Sequence, residues 1–148
     1  MTILYAPFAA RAPSLKGQPS PKDYPHPKEL AILLHRNGHS VVQVGGGQDE
    51  QVTPDFRKDL PFKEVGELIN NFSTAICVDS YLQHHCWYLG KKAIVLWGMS
   101  DPEIFGHKEH TNLLQDRKYL RSNQFDLYYT NQYCSEAFVP PERVLEEL

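Results

Sequence analysis

Two apolar runs, Thr74–Val78 and Ala93–Trp97, set the strongest limit on how this chain folds. Neither alternates apolar with polar residues. Such runs suit strands covered on both faces rather than strands with one wet face. Between them lie Asp79-Ser80 and a helix-like segment, Leu82–Leu89, which Gly90 stops. Strand, turn, helix and strand make one βαβ unit. In such a unit the turn at the carboxyl end of the first strand faces a crevice, and the helix after it offers free amides to an anion.

The same alternation extends in both directions. Thr2–Tyr5 reads as a first strand, ended by Ala6-Pro7. A loop with five prolines runs from residue 7 to 25, and a proline-rich loop of that length is usually functional or partly mobile. Pro27–Asn37 is a helix, with Pro27 at an early position, an apolar face of Leu30, Leu33 and Leu34, and Gly38 as its stop. Ser40–Val44 is a strand, broken by Gly45-Gly46-Gly47. Pro61–Phe72 is a second helix, carrying Phe62, Val65, Leu68 and Ile69 at helical spacing. Thr111–Gln115 reads as a strand, Phe125–Thr130 as a further edge strand, and Pro141–Leu148 as a short C-terminal helix. The expected fold is a single α/β domain over residues 1–148, a Rossmann-like, doubly wound parallel sheet. Right-handed crossovers put Gly45-Gly46-Gly47, Asp79-Ser80 and Gly98 on one sheet edge.

Composition narrows the function classes. The chain has 148 residues, 41% hydrophobic and 22% charged, enough for one domain with a real core. Its net charge of -3 and lack of a basic stripe argue against nucleic-acid binding by phosphate neutralisation. Cys77, Cys86 and Cys134 are scattered and form no CxxC pair, so neither a disulfide framework nor a zinc site is indicated. Cys77 lies in an apolar run and reads as a small core residue. No run approaches a membrane span, and the N-terminus has no signal-peptide pattern, so a cytoplasmic protein is expected.

Several residues at the expected edge can carry chemistry, each with a blander role beside it. Asp79 and Ser80 are favoured helix caps, a role compatible with amides that face a diphosphate. His84 comes about one helical turn after Ser80 and can donate to a phosphate or a sugar hydroxyl, although a lone histidine is more often a packing residue. His84-His85 is a poor metal pair, since adjacent helix positions face different ways; no metal is expected. Gly45-Gly46-Gly47-Gln48-Asp49-Glu50 comes directly after a strand. Its glycines permit close backbone approach, and Asp49 or Glu50 can accept from ribose hydroxyls. The run is neither GxGxxG nor a Walker motif. Lys16 and Lys22, in the proline-rich loop, can reach a phosphate or remain solvated. Gly98 and Ser100, after the second apolar run, can approach the same ligand edge.

In order and spacing, these residues resemble the C-terminal half of glycosyltransferase family nine, which includes the ADP-heptose:lipopolysaccharide heptosyltransferases. Lys22-Asp23-Tyr24-Pro25 is similar to its K-x-W-P segment. Val41–Glu50 resembles its strand, glycine turn and acidic pair, and Leu60–Ile69 the helix before the motif strand. Asp79-Ser80-Tyr81-Leu82-Gln83-His84 resembles D-[ST]-G-x-x-H. Ala93–Gly98 resembles the strand ending in F-G or W-G, and Phe105-Gly106 the loop after it. The match spans nearly the whole chain.

The resemblance implies one half of a two-domain GT-B enzyme, the half that binds a nucleotide-diphosphate sugar as substrate without a further cofactor. It implies that Lys22 contacts phosphate and that Ser80 and Tyr81 amides cradle the diphosphate. Asp79 would orient the sugar, with His84 supporting the turn. Asp49 or Glu50 would hold the ribose beside Gly46 and Gly47, and the backbone near Leu60 would line the base pocket. Two departures stand out. Tyr81 replaces the family glycine and adds bulk where sugar or diphosphate approaches. The acceptor-binding half, which supplies the general base, has no counterpart here, so no catalytic residue is assigned. Hexosyl or heptosyl transfer would then need a separate acceptor-binding subunit or a second copy in a homo-oligomer. The alternatives are a non-catalytic protein that senses or sequesters a nucleotide, and an adaptor that has lost its ligand.

Overall fold

The computed structural model describes residues 1–10, 19–126 and 132–148. Six strands form one parallel sheet: β1 (Thr2–Ala6), β2 (Ser40–Gly45), β3 (Asp55–Lys58), β4 (Thr74–Val78), β5 (Ala93–Trp97) and β6 (Thr111–Leu114). Their order is β3-β2-β1-β4-β5-β6, that of the doubly wound nucleotide-binding sheet. Every neighbouring pair is parallel; Leu4, for example, lies beside Val42 on one side and Ala75 on the other.

The helices are α1 (Pro27–Arg36), α2 (Phe62–Asn71), α3 (Tyr81–Tyr88), α4 (Pro102–Phe105) and α5 (Pro141–Leu145). The alternation of side chains along each strand builds two cores. Ile3, Tyr5, Ile76, Val78, Ile94 and Leu96 point to the side of α1 and α5, where Leu30, Leu34 and Val144 meet them. Leu4, Cys77, Val95 and Trp97 point the other way, to Val65 and Ile69 of α2 and to Leu82 and Cys86 of α3. Cys77 is thus a core residue, and burial raises its thiol pKa well above the ordinary value.

The expected elements recur within a residue or two at most ends, with two differences of substance. The short strand β3 and the one-turn helix α4 are additions to the expected set. β3 is Asp-Phe-Arg-Lys, mostly exposed at the edge of the sheet, so it lacks the apolar signature of a buried strand. The C-terminal helix is also shorter than expected, ending at Leu145. The expected strand Phe125–Thr130 falls largely outside the described residues, and Phe125 itself lies in a turn and is 78% exposed. Lys16, Tyr128 and Tyr129 also lie outside them. Among the described residues no helix is long and apolar enough to cross a membrane.

Leu4 is fully buried at the middle of the central strand. Leu4→Ala is therefore expected to cost about 2–5 kcal/mol in urea unfolding, the usual range for a core leucine cavity.

Candidate functional site

Strand order reverses between β1 and β4, since the chain runs outward from β1 to β2 and β3 and then returns to β4. A crevice opens where neighbouring crossovers leave to opposite faces. A cavity of about 780 Å³ occupies that place. Ala6 at the end of β1, Gly45 at the end of β2 with Gly46 and Gly47 after it, and Asp79–Ser80 after β4 all line it.

One end of the cavity is built around Asp79. Asp79 as a residue is only 7% exposed. Its Oδ1 accepts from Gln83 Nε2 at 2.8 Å, and its Oδ2 is 3.0 Å from Lys22 Nζ. Lys22 arrives there because its neighbours are pinned. Asp23 Oδ1 accepts from the Ala9 amide at 2.8 Å, the Tyr24 amide donates to Pro7 O, and the buried Tyr24 hydroxyl donates to Val139 O at 2.8 Å. Ser80 holds the N-cap position of α3, but its side chain makes no capping bond; Oγ donates to Val78 O at 3.3 Å. The N-terminus of α3, with amides that lack intrahelical acceptors, opens on the cavity, which Ser80, Tyr81 and Leu82 line. The helix dipole there favours an anion, while the charges of Lys22 and Asp79 offset each other.

The other end is acidic. The turn after β2 folds back so that Asp49 Oδ2 accepts from the Gly46 amide at 2.9 Å. Asp59, just beyond β3, has φ 52, a left-handed conformation that aspartate tolerates better than most residues. Its amide donates to Gly45 O and its Oδ1 accepts from the Gly47 amide at 3.0 Å. The glycine amides are thus already engaged by carboxylates of the chain. A Cβ on Gly47 would lie 2.7 Å from Asp59 Oδ2. Gly45 and Gly47 thus make room for the chain's own acids, whereas a Cβ on Gly46 would come no nearer than 3.9 Å to them. Leu60, Val44 and Val65 line the apolar wall nearby, and Arg57 lies on the rim.

The expected site residues therefore divide. Lys22, Gly46, Gly47, Asp49, Leu60, Asp79, Ser80 and Tyr81 all line one cavity. Glu50 does not: its carboxylate pairs with Lys28 at 2.7 Å. His84 does not either. Its Nδ1 is 2.7 Å from Nε2 of His107, whose ring stacks on Trp87. Gly98 and Ser100 are drawn into the interior, and a Cβ on Gly98 would press into the Phe138 ring. His85 is buried and stacks on Phe62 with ring centroids 3.8 Å apart, so the two adjacent histidines do face apart. Among the described residues, no group of three or more His, Cys, Asp or Glu is placed to hold a metal ion. Asp59, Arg57 and Gln83 join the site although no sequence motif singles them out. The first two sit on and beside a strand without an apolar pattern, and Gln83 reads as an ordinary helix residue.

Gly47→Ala is expected to cost about 1 kcal/mol, the worth of the Gly47–Asp59 hydrogen bond, and almost nothing in an Asp59→Ala background, as read by a thermodynamic double-mutant cycle. The histidines give the fold a pH dependence. Burial lowers the His85 pKa; burial, then the charges of His84 and His110, lower that of His107. The fold therefore resists protonation of both rings. Stability should be full above the unfolded histidine value of about 6.5 and should fall as pH drops through it. Urea midpoints between about pH 7.5 and 5.5 should show the decline, and His107→Gln should reduce it.

Residues 5–129 match the sequence profile of glycosyltransferase family 9 (heptosyltransferase). No functionally curated protein matches the chain at a significant level. Two solved structures are similar in fold. One is ADP-heptose lps heptosyltransferase II of E. coli, with a TM-score of 0.67 and 21% identity over 99% of this chain and 44% of that one. The other is a glycosyl transferase family 9 protein of Veillonella parvula DSM 2008, with a TM-score of 0.67 and 17% identity over the same shares. The chain thus spans less than half the length of the structures it resembles, as one α/β unit equivalent to the C-terminal half of a GT-B heptosyltransferase. The extent of the profile match establishes that the chain belongs to glycosyltransferase family 9.

Proposed function

We propose that this chain binds a nucleotide-diphosphate sugar and serves as the donor half of a glycosyltransferase. The observation that carries the reading is the polarity of the cavity at the switch point. Lys22 and the N-terminus of α3 stand at one end, with Asp49 and Asp59 at the other. A diphosphate suits the first end, where a lysine and helix amides meet it together. Ribose hydroxyls, which donate hydrogen bonds, suit Asp49. The base would lie along the apolar wall of Val44, Leu60 and Val65. The acceptor and the general base would come from a second unit, either another polypeptide or a second copy, since transfer requires both substrates held together.

Tyr81 bears on whether a sugar fits beyond the diphosphate. It is the first residue of α3, lines the cavity and is 55% exposed. Burial of the rest of the ring raises its phenol pKa, so it stands there as a neutral hydroxyl. A bulky ring at this position supports the second reading, a non-catalytic protein that holds a nucleotide and leaves little room for a sugar.

The test is a thermal-shift panel of nucleoside diphosphates and nucleotide sugars. A ligand at one hundred times its dissociation constant should stabilise the fold by about 2.7 kcal/mol, a shift of a few degrees. Lys22→Ala should weaken binding by about tenfold or more, the usual loss for a charge-assisted contact. Silence across the panel would remove both readings. Tyr81→Gly separates them. If the ring blocks the sugar, the variant gains affinity for nucleotide sugars relative to the matching diphosphates; an unchanged ratio speaks for the donor-binding reading.

A further inference from the structure

Gln83 is completely buried, and its role is visible in its hydrogen bonds. Its Nε2 donates to Asp79 Oδ1 at 2.8 Å and lies 3.4 Å from Phe105 O. Both neighbours are acceptors, so the amide can only present its NH2 group to them; turned over, its oxygen would face two oxygens. Gln83 Oε1 is buried and has no hydrogen-bond partner among the described residues. A buried carbonyl left in that state opposes folding. Leucine or methionine would fill the same space without that penalty. The polar side chain is therefore explained by what its other end holds, the cavity carboxylate.

The residue is itself held from behind. The Gln83 backbone carbonyl accepts from His110 Nε2 at 2.7 Å, while His110 Nδ1 accepts from the Ala93 amide at 3.1 Å. His110 is buried and bridges the start of β5 to α3. The helix ladder and His110 together fix Gln83 in place, and Gln83 then fixes the carboxylate one turn before it.

We infer that Gln83 is a positioning residue for the cavity: it clamps Asp79 through Oδ1, so that the buried Oδ2 stays turned to Lys22 and holds that lysine at the cavity wall. The ligand part of this inference rests on the nucleotide-binding reading; the clamp itself does not. It acts only through Asp79, since Gln83 does not line the cavity.

Two variants test it. Gln83→Leu removes the donor and the unpaired oxygen together. Gln83→Glu keeps the shape and places an acceptor, ionised when charged, against the Asp79 carboxylate and the Phe105 carbonyl. Circular dichroism first verifies that each is folded. The decisive readout needs no ligand: the χ1 coupling constants of Asp79 measured by NMR. The wild-type chain should show a single rotamer, and Gln83→Leu should show averaging over several. A purely structural role for Gln83 would leave these couplings unmoved, and unchanged couplings in folded Gln83→Leu would overturn the inference. Where a nucleoside diphosphate binds the wild type, Gln83→Glu should weaken it by about tenfold, the size of one hydrogen bond to a charged group. Unaltered affinity in that variant would also count against the clamp. If no nucleoside diphosphate binds the wild type, the proposed function fails while the couplings still decide the role of Gln83. If either variant does not fold, the other carries the measurement, and if neither folds, the wild-type couplings decide: averaging in the wild type would refute the clamp outright.

Discussion

A carboxylate withdrawn from water at the end of a central strand is the constraint around which the rest of this site is arranged. Asp79 needs a counter-charge and hydrogen-bond donors, because an ionised group loses far more solvation on burial than a neutral one. Lys22 provides the charge and Gln83 a donor. Neither is close to Asp79 by accident. Lys22 comes from a segment tied to the end of β1 and to the C-terminal stretch through Asp23 and Tyr24. Gln83 lies one helical turn along α3. The sheet therefore delivers the acid, and two other parts of the chain are fastened so that it is satisfied.

The opposite wall obeys the same requirement. Two carboxylates, from Asp49 and Asp59, take the amides of the glycine turn. A glycine-rich turn after a strand usually suggests a phosphate cradle, yet here the donors are occupied and the charges are negative. Backbone amides without intrahelical acceptors are thus concentrated at the start of α3, and carboxylate acceptors at the ends of β2 and β3. Under the proposed function, ends of different character would orient the ligand before any side chain moves, which would lower the ordering cost of binding.

Much of this is legible in the chain itself. The runs Thr74–Val78 and Ala93–Trp97 mark the buried parallel strands, and their placement marks the edge on which Gly46, Asp49, Asp79 and Ser80 meet. Other parts are not. β3 is an edge strand of charged residues reached without a helix, so neither its pattern nor its context marks it, and Asp59 and Arg57 are lost with it. Helical spacing places His84 near Ser80 but cannot show that His107, beyond the next strand and helix, engages it. Glu50 and Asp49 are adjacent in sequence, and only the direction of the turn sends one to Lys28 and the other to the cavity. Gly98 ends a strand segment as Asp79 does, but the Phe138 ring closes over it. In each case the deciding partner lies outside the local stretch that carries the pattern.

Whether the α3 end of the cavity is the anion end can be read by titrating the 15N-labelled chain with a nucleoside diphosphate and tracking backbone amide shifts. The largest shifts should fall on Ser80, Tyr81 and Leu82 together with Lys22, while the Gly46 and Gly47 amides, held by Asp49 and Asp59, should move less. Saturating shifts centred on Gly46 and Gly47 with α3 unaffected would contradict this assignment, as would no shift anywhere in the cavity at millimolar ligand, on the order of the weakest specific affinities.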